Sequence, residues 1–127
     1  MGKSKRSLLE SFKHAIAGFQ EAFTKEKNIR IQLLFGLVAI ILGIGLGITL
    51  VEWAVLLLVI SMVITSELFN TALERTLDLI DSNPNGTVKI AKDVAAGAVI
   101  FTAVIALIIG LIIFIPRLIQ LFVIFFY

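Results

Sequence analysis

Two stretches of this chain, residues 33–51 and 94–116, contain no charged residue. Each is close to the ~20 residues that a helix needs to cross the hydrocarbon core of a bilayer. A helix in the core of a soluble protein carries a polar face, and these runs have none. A third apolar stretch opens at Trp53 and stays apolar to Thr65, and a full crossing there would end near Ala72. The chain therefore reads as an all-α membrane protein of one domain, residues 1–127. Transmembrane helices are expected at about 29–48, 53–72 and 88–115, and the second continues as a polar extension to about 81.

The segment before the first span, about 8–25, repeats Phe12, Ile16, Phe19 and Phe23 at helical spacing, with Glu10, Lys13, Gln20 and Glu21 mainly elsewhere. It is too charged to span. A helix lying in the membrane interface fits it, and a helix packed on a soluble partner is the alternative. Asn28 is the expected N-cap of the first span. That span ends in Gly43, Gly45 and Gly47, with Gly43 and Gly47 in the GxxxG register that lets helices approach closely. Trp53 suits an interfacial anchor. Ser82 to Gly86 is a turn signal, and Pro116-Arg117 is expected to stop the third helix. The apolar tail 118–127 is too short to cross again and is placed at the outer interface.

Three short helices enclose little interior in one copy, so homo-oligomerisation is expected. The chain is 59% hydrophobic and lacks cysteine, which excludes a disulfide framework or a thiolate metal site. A single histidine, His14, excludes a multi-histidine metal site within one copy. No secretory signal pattern is present, and Arg6 stands where a myristoylation motif wants Ser or Thr, so the chain is expected to stay intact. Seven of the eleven Lys and Arg lie at or before the head of the first span, and the connection around Glu52 has none. The positive-inside rule then puts the N-terminus and the second connection in the cytoplasm.

On a helical wheel, Glu67, Asn70, Glu74, Asp78 and Asp81 fall within an arc of about 80°. Stacked carboxylates repel by about 0.2–0.5 kcal/mol per exposed pair, so the stripe calls for cations. Oxygen ligands with no imidazole or thiolate nearby favour Mg²⁺ over Zn²⁺. The bland reading is a solvated helix end, which fits Asp78 and Asp81 better than Glu67 and Asn70, since ionisable groups at membrane depth are costly and tend to be functional. Lys92-Asp93 at the head of the third helix, and Glu26 before the first span, could face the stripe. Carboxylate-held metal beside a lysine is how proteins manage polyphosphate. No GxxxxGK[ST] motif is present, so a nucleotide would bind without a P-loop. Glu67, at the lipid boundary, is placed to meet a hydroxyl on a membrane substrate, and partial burial is expected to suit it to general-base work. Nucleic acid is not an expected partner.

The run Glu67-Leu-Phe-Asn70-Thr-Ala-Leu-Glu74, Asp78 four residues on, and Ala91-Lys92-Asp93-Val-Ala-Ala-Gly97 resemble the small bacterial membrane kinases, the prokaryotic diacylglycerol kinase and undecaprenol kinase family. The resemblance runs from the amphipathic segment to Pro116-Arg117. It implies a homotrimer of three-span subunits in the bacterial plasma membrane, ATP as donor with Mg²⁺, and phosphorylation of a lipid alcohol at the cytoplasmic interface. By position, it implies Glu67 as catalytic base, Glu26 and Glu74 as Mg²⁺ ligands that also contact ATP, and Lys92 and Asp93 as nucleotide contacts. Asn70 and Asp78 match supporting active-site positions, and His14 a nucleotide-side position. The turn from Asn83 to Gly86 aligns with a nucleotide-contacting loop, with Pro84 and Gly86 as departures. Val51-Glu52-Trp53, Asn70-Thr71-Ala72 and Ala95-Ala96-Gly97-Ala98-Val99 resemble the Gram-positive branch, which implies undecaprenol as substrate, with diacylglycerol as the alternative. From other classes, a small transporter or pore subunit would call for a carboxylate near a span's midplane. A non-catalytic anchor would have no use for the stripe.

Overall fold

The computed structural model describes residues 7–81 and 86–126 and consists of four helices: α1 (Leu8–Lys25), α2 (Lys27–Leu46), α3 (Leu50–Ile80) and α4 (Thr87–Phe126). Among the described residues there is no strand. Three of the helices, α2, α3 and α4, are long and apolar enough to cross a membrane. In lipid a helix satisfies its own backbone polar groups, which is why these runs have no other stable form. α3 and α4 share the largest contact surface, α2 packs on both, and α1 lies against α2 and α3.

Local chemistry sets each boundary. Ser7 and Glu10 form a reciprocal capping box at the head of α1. Glu26 alone leaves helical geometry between α1 and α2, at φ −101° and ψ 114°. The first span thus begins at Lys27, and Asn28, expected as its N-cap, lies inside the helix. The Arg30 guanidinium donates to the carbonyl oxygens of Phe23 and Thr24, which answers the open carbonyl end of α1. At the other end, Gly47 adopts the left-handed conformation (φ 60°) and stops α2, while the Ile48 amide donates to the Gly43 carbonyl oxygen at 3.2 Å. Thr49 and Glu52 then form a second capping box. That box starts α3 at Leu50 rather than at Trp53.

The glycines of the GxxxG pair part company. Gly43 lies under Trp53, where an added Cβ would stand 2.9 Å from the indole Cη2 and 3.0 Å from Ile48 Cδ1. Gly47 ends the helix, with nothing within 4 Å of an added Cβ. Trp53, expected as an interface anchor, packs against a small core of Ile48, Leu56, Ile113 and Phe114.

The largest correction concerns α4. It does not stop at Pro116-Arg117 but runs through Pro116 to Phe126. At about 1.5 Å per residue its 40 residues measure about 60 Å, twice a ~30 Å hydrocarbon core. The tail expected as a separate interfacial segment is this helix's last turns. Proline removes one amide donor, a loss that neighbouring side chains can offset in a spanning helix. Here Arg117 reaches back to the Ile113 carbonyl oxygen (3.1 Å) and grips Glu52 with both arms, at 2.7 and 2.6 Å. The planar fork matches the carboxylate and ties α4 to the head of α3. Of the expected 82–86 turn, only Gly86 lies within the described residues, with φ 62° just before α4.

The Gly43 contact is testable. Gly43→Ala is expected to lower stability by about 1–3 kcal/mol through overpacking against the indole. Gly45→Ala, with open space at its Cβ, should leave it unchanged or slightly raised. Thermal unfolding in detergent checks both, and a Gly43→Ala protein as stable as the parent would remove Trp53 from this contact.

Candidate functional site

The buried face of α3 carries Leu56 and Val59 toward one end and Glu67, Asn70 and Thr71 toward the other. Seventeen residues separate Leu50 from Glu67, so Glu67 sits about 26 Å along the helix, close to one hydrocarbon thickness. Expected to be partly buried, Glu67 is only 3% exposed and is enclosed by protein. Gln32 of α2 covers it: the amide Nε2 donates to Glu67 Oε2 at 3.1 Å. Along the same face, a groove of about 480 Å³ runs between α2, α3 and α4. Its lining includes Gln32, Gly36, Val63, Ala106, Gly110 and Leu118 and is almost wholly apolar. Val63 stands one helical turn from Glu67, so the carboxylate lies just beyond the groove's polar end.

One turn further along α3, Asn70 Nδ2 donates to Glu74 Oε1 at 3.2 Å. Asn70 is 8% exposed, and its Oδ1 is buried without a hydrogen-bond partner. Ser66 and Thr102 share a hydrogen bond of 2.9 Å that joins α3 to α4 beside this band. Outward, ion pairs frame the site. Arg75 contacts Glu26 at 3.2 Å and Glu21 at 3.8 Å, Lys92 pairs with Asp78, and Lys89 pairs with Asp93 at 2.7 Å.

The expected residues thus fall into groups. Asn70 and Glu74 are bonded, and Lys92 reaches across from α4 to Asp78. Glu26 is brought to Arg75, the neighbour of Glu74 in sequence, and not to Glu74 itself. Asp93 faces Lys89 rather than joining Lys92. His14 lies on exposed α1 and makes no hydrogen bond or ion pair with the other candidates among the described residues. Two members of the site escaped the sequence reading. Arg75 is one of the few cations beyond the first span, and no motif marks it. Gln32 is a single amide at the head of an apolar run, 35 residues from its partner, and no spacing marks it.

Among the described residues no group of three or more acids, histidines or cysteines is gathered to hold a metal alone. The donors present are the carboxylates of Glu26 and Glu74 and the unpartnered Asn70 Oδ1. These are hard oxygen donors. Mg²⁺ is commonly held through one or two carboxylates with phosphate oxygens and water completing the shell; Glu74 beside Asn70 fits that chemistry, while Glu26 is engaged by Arg75.

Comparison with known proteins agrees with the geometry. The family described as prokaryotic diacylglycerol kinase matches residues 13–114. The undecaprenol kinase of Bacillus subtilis is 40% identical over 109 residues, covering 86% of this chain and 89% of its own length. The diacylglycerol kinase of a Synechocystis species is 40% identical over 118 residues, covering 92% of this chain and 67% of its own. With the family's match covering residues 13–114 and a relative 40% identical over 86% of this sequence, the chain belongs to the prokaryotic diacylglycerol kinase family.

Proposed function

We propose that the protein is a membrane lipid kinase that transfers the γ-phosphate of ATP to the hydroxyl of a lipid alcohol, undecaprenol ahead of diacylglycerol. The observation that carries this reading is Glu67: a carboxylate enclosed by protein at the end of an apolar groove, with a neutral amide as its partner. A lipid tail lying in the groove would present its hydroxyl at the polar end, beside Glu67. The carboxylate takes the hydroxyl proton, the oxygen attacks the γ-phosphorus, and the bond to the bridging oxygen of ADP breaks. Positioning and charge stabilisation dominate catalysis of this kind.

The other residues serve the nucleotide. Glu26 and Glu74 would hold Mg²⁺, which supplies neutralisation of charge on the phosphate oxygens. Asn70 fixes Glu74 through its amide. Lys92 and Asp93 contact the nucleotide from the head of α4, Asp78 holds Lys92 in place, and His14 approaches from α1. The Asp78 side chain is more than half exposed, and exposed ion pairs are worth little. Exchanging that carboxylate for a phosphate therefore costs Lys92 little.

The preference for undecaprenol rests on the relatives. Identity is equal at 40%, but the Bacillus undecaprenol kinase is covered nearly end to end, whereas the Synechocystis protein extends well beyond the match. The cation distribution supports a cytoplasmic N-terminus and site in a bacterial plasma membrane. One copy buries few side chains; this small interior supports assembly into an oligomer, and the family resemblance supports a homotrimer.

Three outcomes are expected. Glu67→Gln should abolish Mg²⁺-dependent phosphate transfer while the protein still assembles; full activity in that variant would remove Glu67 as base. Glu74→Gln should weaken Mg²⁺ dependence and nucleotide binding more than lipid binding, and an unchanged Mg²⁺ titration would take it out of the metal site. In parallel assays with labelled ATP, undecaprenol should be phosphorylated faster than diacylglycerol, and the reverse order would assign diacylglycerol as the substrate.

A further inference from the structure

Resting on the reading of Glu67 as base, we infer that Gln32 is a positioning residue whose side-chain amide serves Glu67 on both sides of the proton transfer. The geometry begins from two facts. Gln32 Nε2 donates to Glu67 Oε2 at 3.1 Å across the α2–α3 contact. The other end of the same amide, Oε1, is buried with no hydrogen-bond partner.

An ionised carboxylate only accepts hydrogen bonds, so the N–H end of the amide must face it. Holding one carboxylate oxygen in this way fixes the plane of the group and leaves Oε1 of Glu67 to receive the hydroxyl proton. After transfer, Glu67 is a neutral acid protonated on Oε1, and its Oε2 is then a carbonyl oxygen that still accepts from Gln32 Nε2. Both states of the base therefore keep the same partner and the same orientation, and an unsatisfied buried polar group is costly.

The same reasoning explains why a neutral amide suits this position. A lysine or arginine there would hold Glu67 in its charged form and oppose protonation. An apolar side chain would leave the carboxylate unoriented, and a general base works only when correctly placed against the proton it takes. Of the other polar groups of the band, Ser66 bonds Thr102 and the Asn70 Nδ2 donates to Glu74, while Asn70 Oδ1 has no partner. Gln32 is the side chain bonded to Glu67 among the described residues.

The test uses full-length protein in detergent–lipid micelles, with MgATP and undecaprenol as substrates. Gln32→Met keeps the side chain's length and removes both polar ends. Its kcat is expected to fall about 10- to 100-fold, the worth of one hydrogen bond to a charged group, with KM for MgATP and the stoichiometry of nucleotide binding unchanged. A merely structural role would instead reduce the fraction of protein that binds nucleotide. Gln32→Lys keeps a donor but adds a charge that opposes protonation of the base, and its kcat is expected to fall at least as far. Unchanged kcat in Gln32→Met would overturn the assignment, and so would a lysine variant as active as the parent, since a charged donor would then serve as well as the neutral amide. If Gln32→Met does not assemble, the lysine variant decides by the same measure. An active Glu67→Gln would remove the base and this inference together. An inactive Glu67→Gln beside a fully active Gln32→Met would overturn the Gln32 assignment alone.

Discussion

Hydrocarbon offers a polar group nothing to bond with, and the rest of the structure follows from that constraint. Backbone amides and carbonyls are satisfied inside α2, α3 and α4. Polar side chains either gather near the helix ends or find partners within the protein. Glu67 has Gln32, Ser66 has Thr102, and Glu52 has Arg117. Each of these pairs joins two different helices, so the few polar contacts also fix how the spans sit against one another. The apolar contacts between them are less particular, because lipid competes for them on nearly equal terms.

This division places chemistry at one end of the molecule. α3 runs past the hydrocarbon boundary as a single helix, and its inward face changes from leucine and valine to carboxylate and amide without a break. A substrate with an apolar tail and one hydroxyl matches that change along its own length. The ion pairs of Glu26, Arg75, Asp78 and Lys92 lie beyond it and offer a charged surface. On the proposed reading the nucleotide would meet that charged surface, and the reaction would be set where the two kinds of surface meet.

Much of this was legible in the sequence, for identifiable reasons. Absence of charge over about twenty residues has one physical meaning and marks the first and third spans, while the second is readable from the shorter apolar run between Trp53 and Thr65. The Glu67 to Asp81 stripe was readable because helical spacing is local. What was missed depends on contacts between distant parts of the chain. Gln32 gains its meaning only from Glu67, and Arg117 only from Glu52, 65 residues away. The end of α4 was misplaced because proline's effect was judged as in water. Within a span the loss of one donor is tolerated, and beside Pro116 the Arg117 side chain bonds the Ile113 carbonyl oxygen of its own helix.

The Glu52–Arg117 clasp has a consequence beyond joining two helices. A charged pair at the far end of α3 resists being drawn into hydrocarbon, just as the ion pairs at the opposite end do. Glu52 and Glu67 are fifteen residues apart on one unbroken helix, a rod of about 22 Å. On the proposed reading of Glu67 as base, the clasp would act as a float that sets its height. Bilayer thickness would then enter the reaction itself: a membrane whose acyl chains are longer or shorter must tilt the rod or deform around it, and the hydroxyl of its lipid would ride above or below the carboxylate that has to meet it.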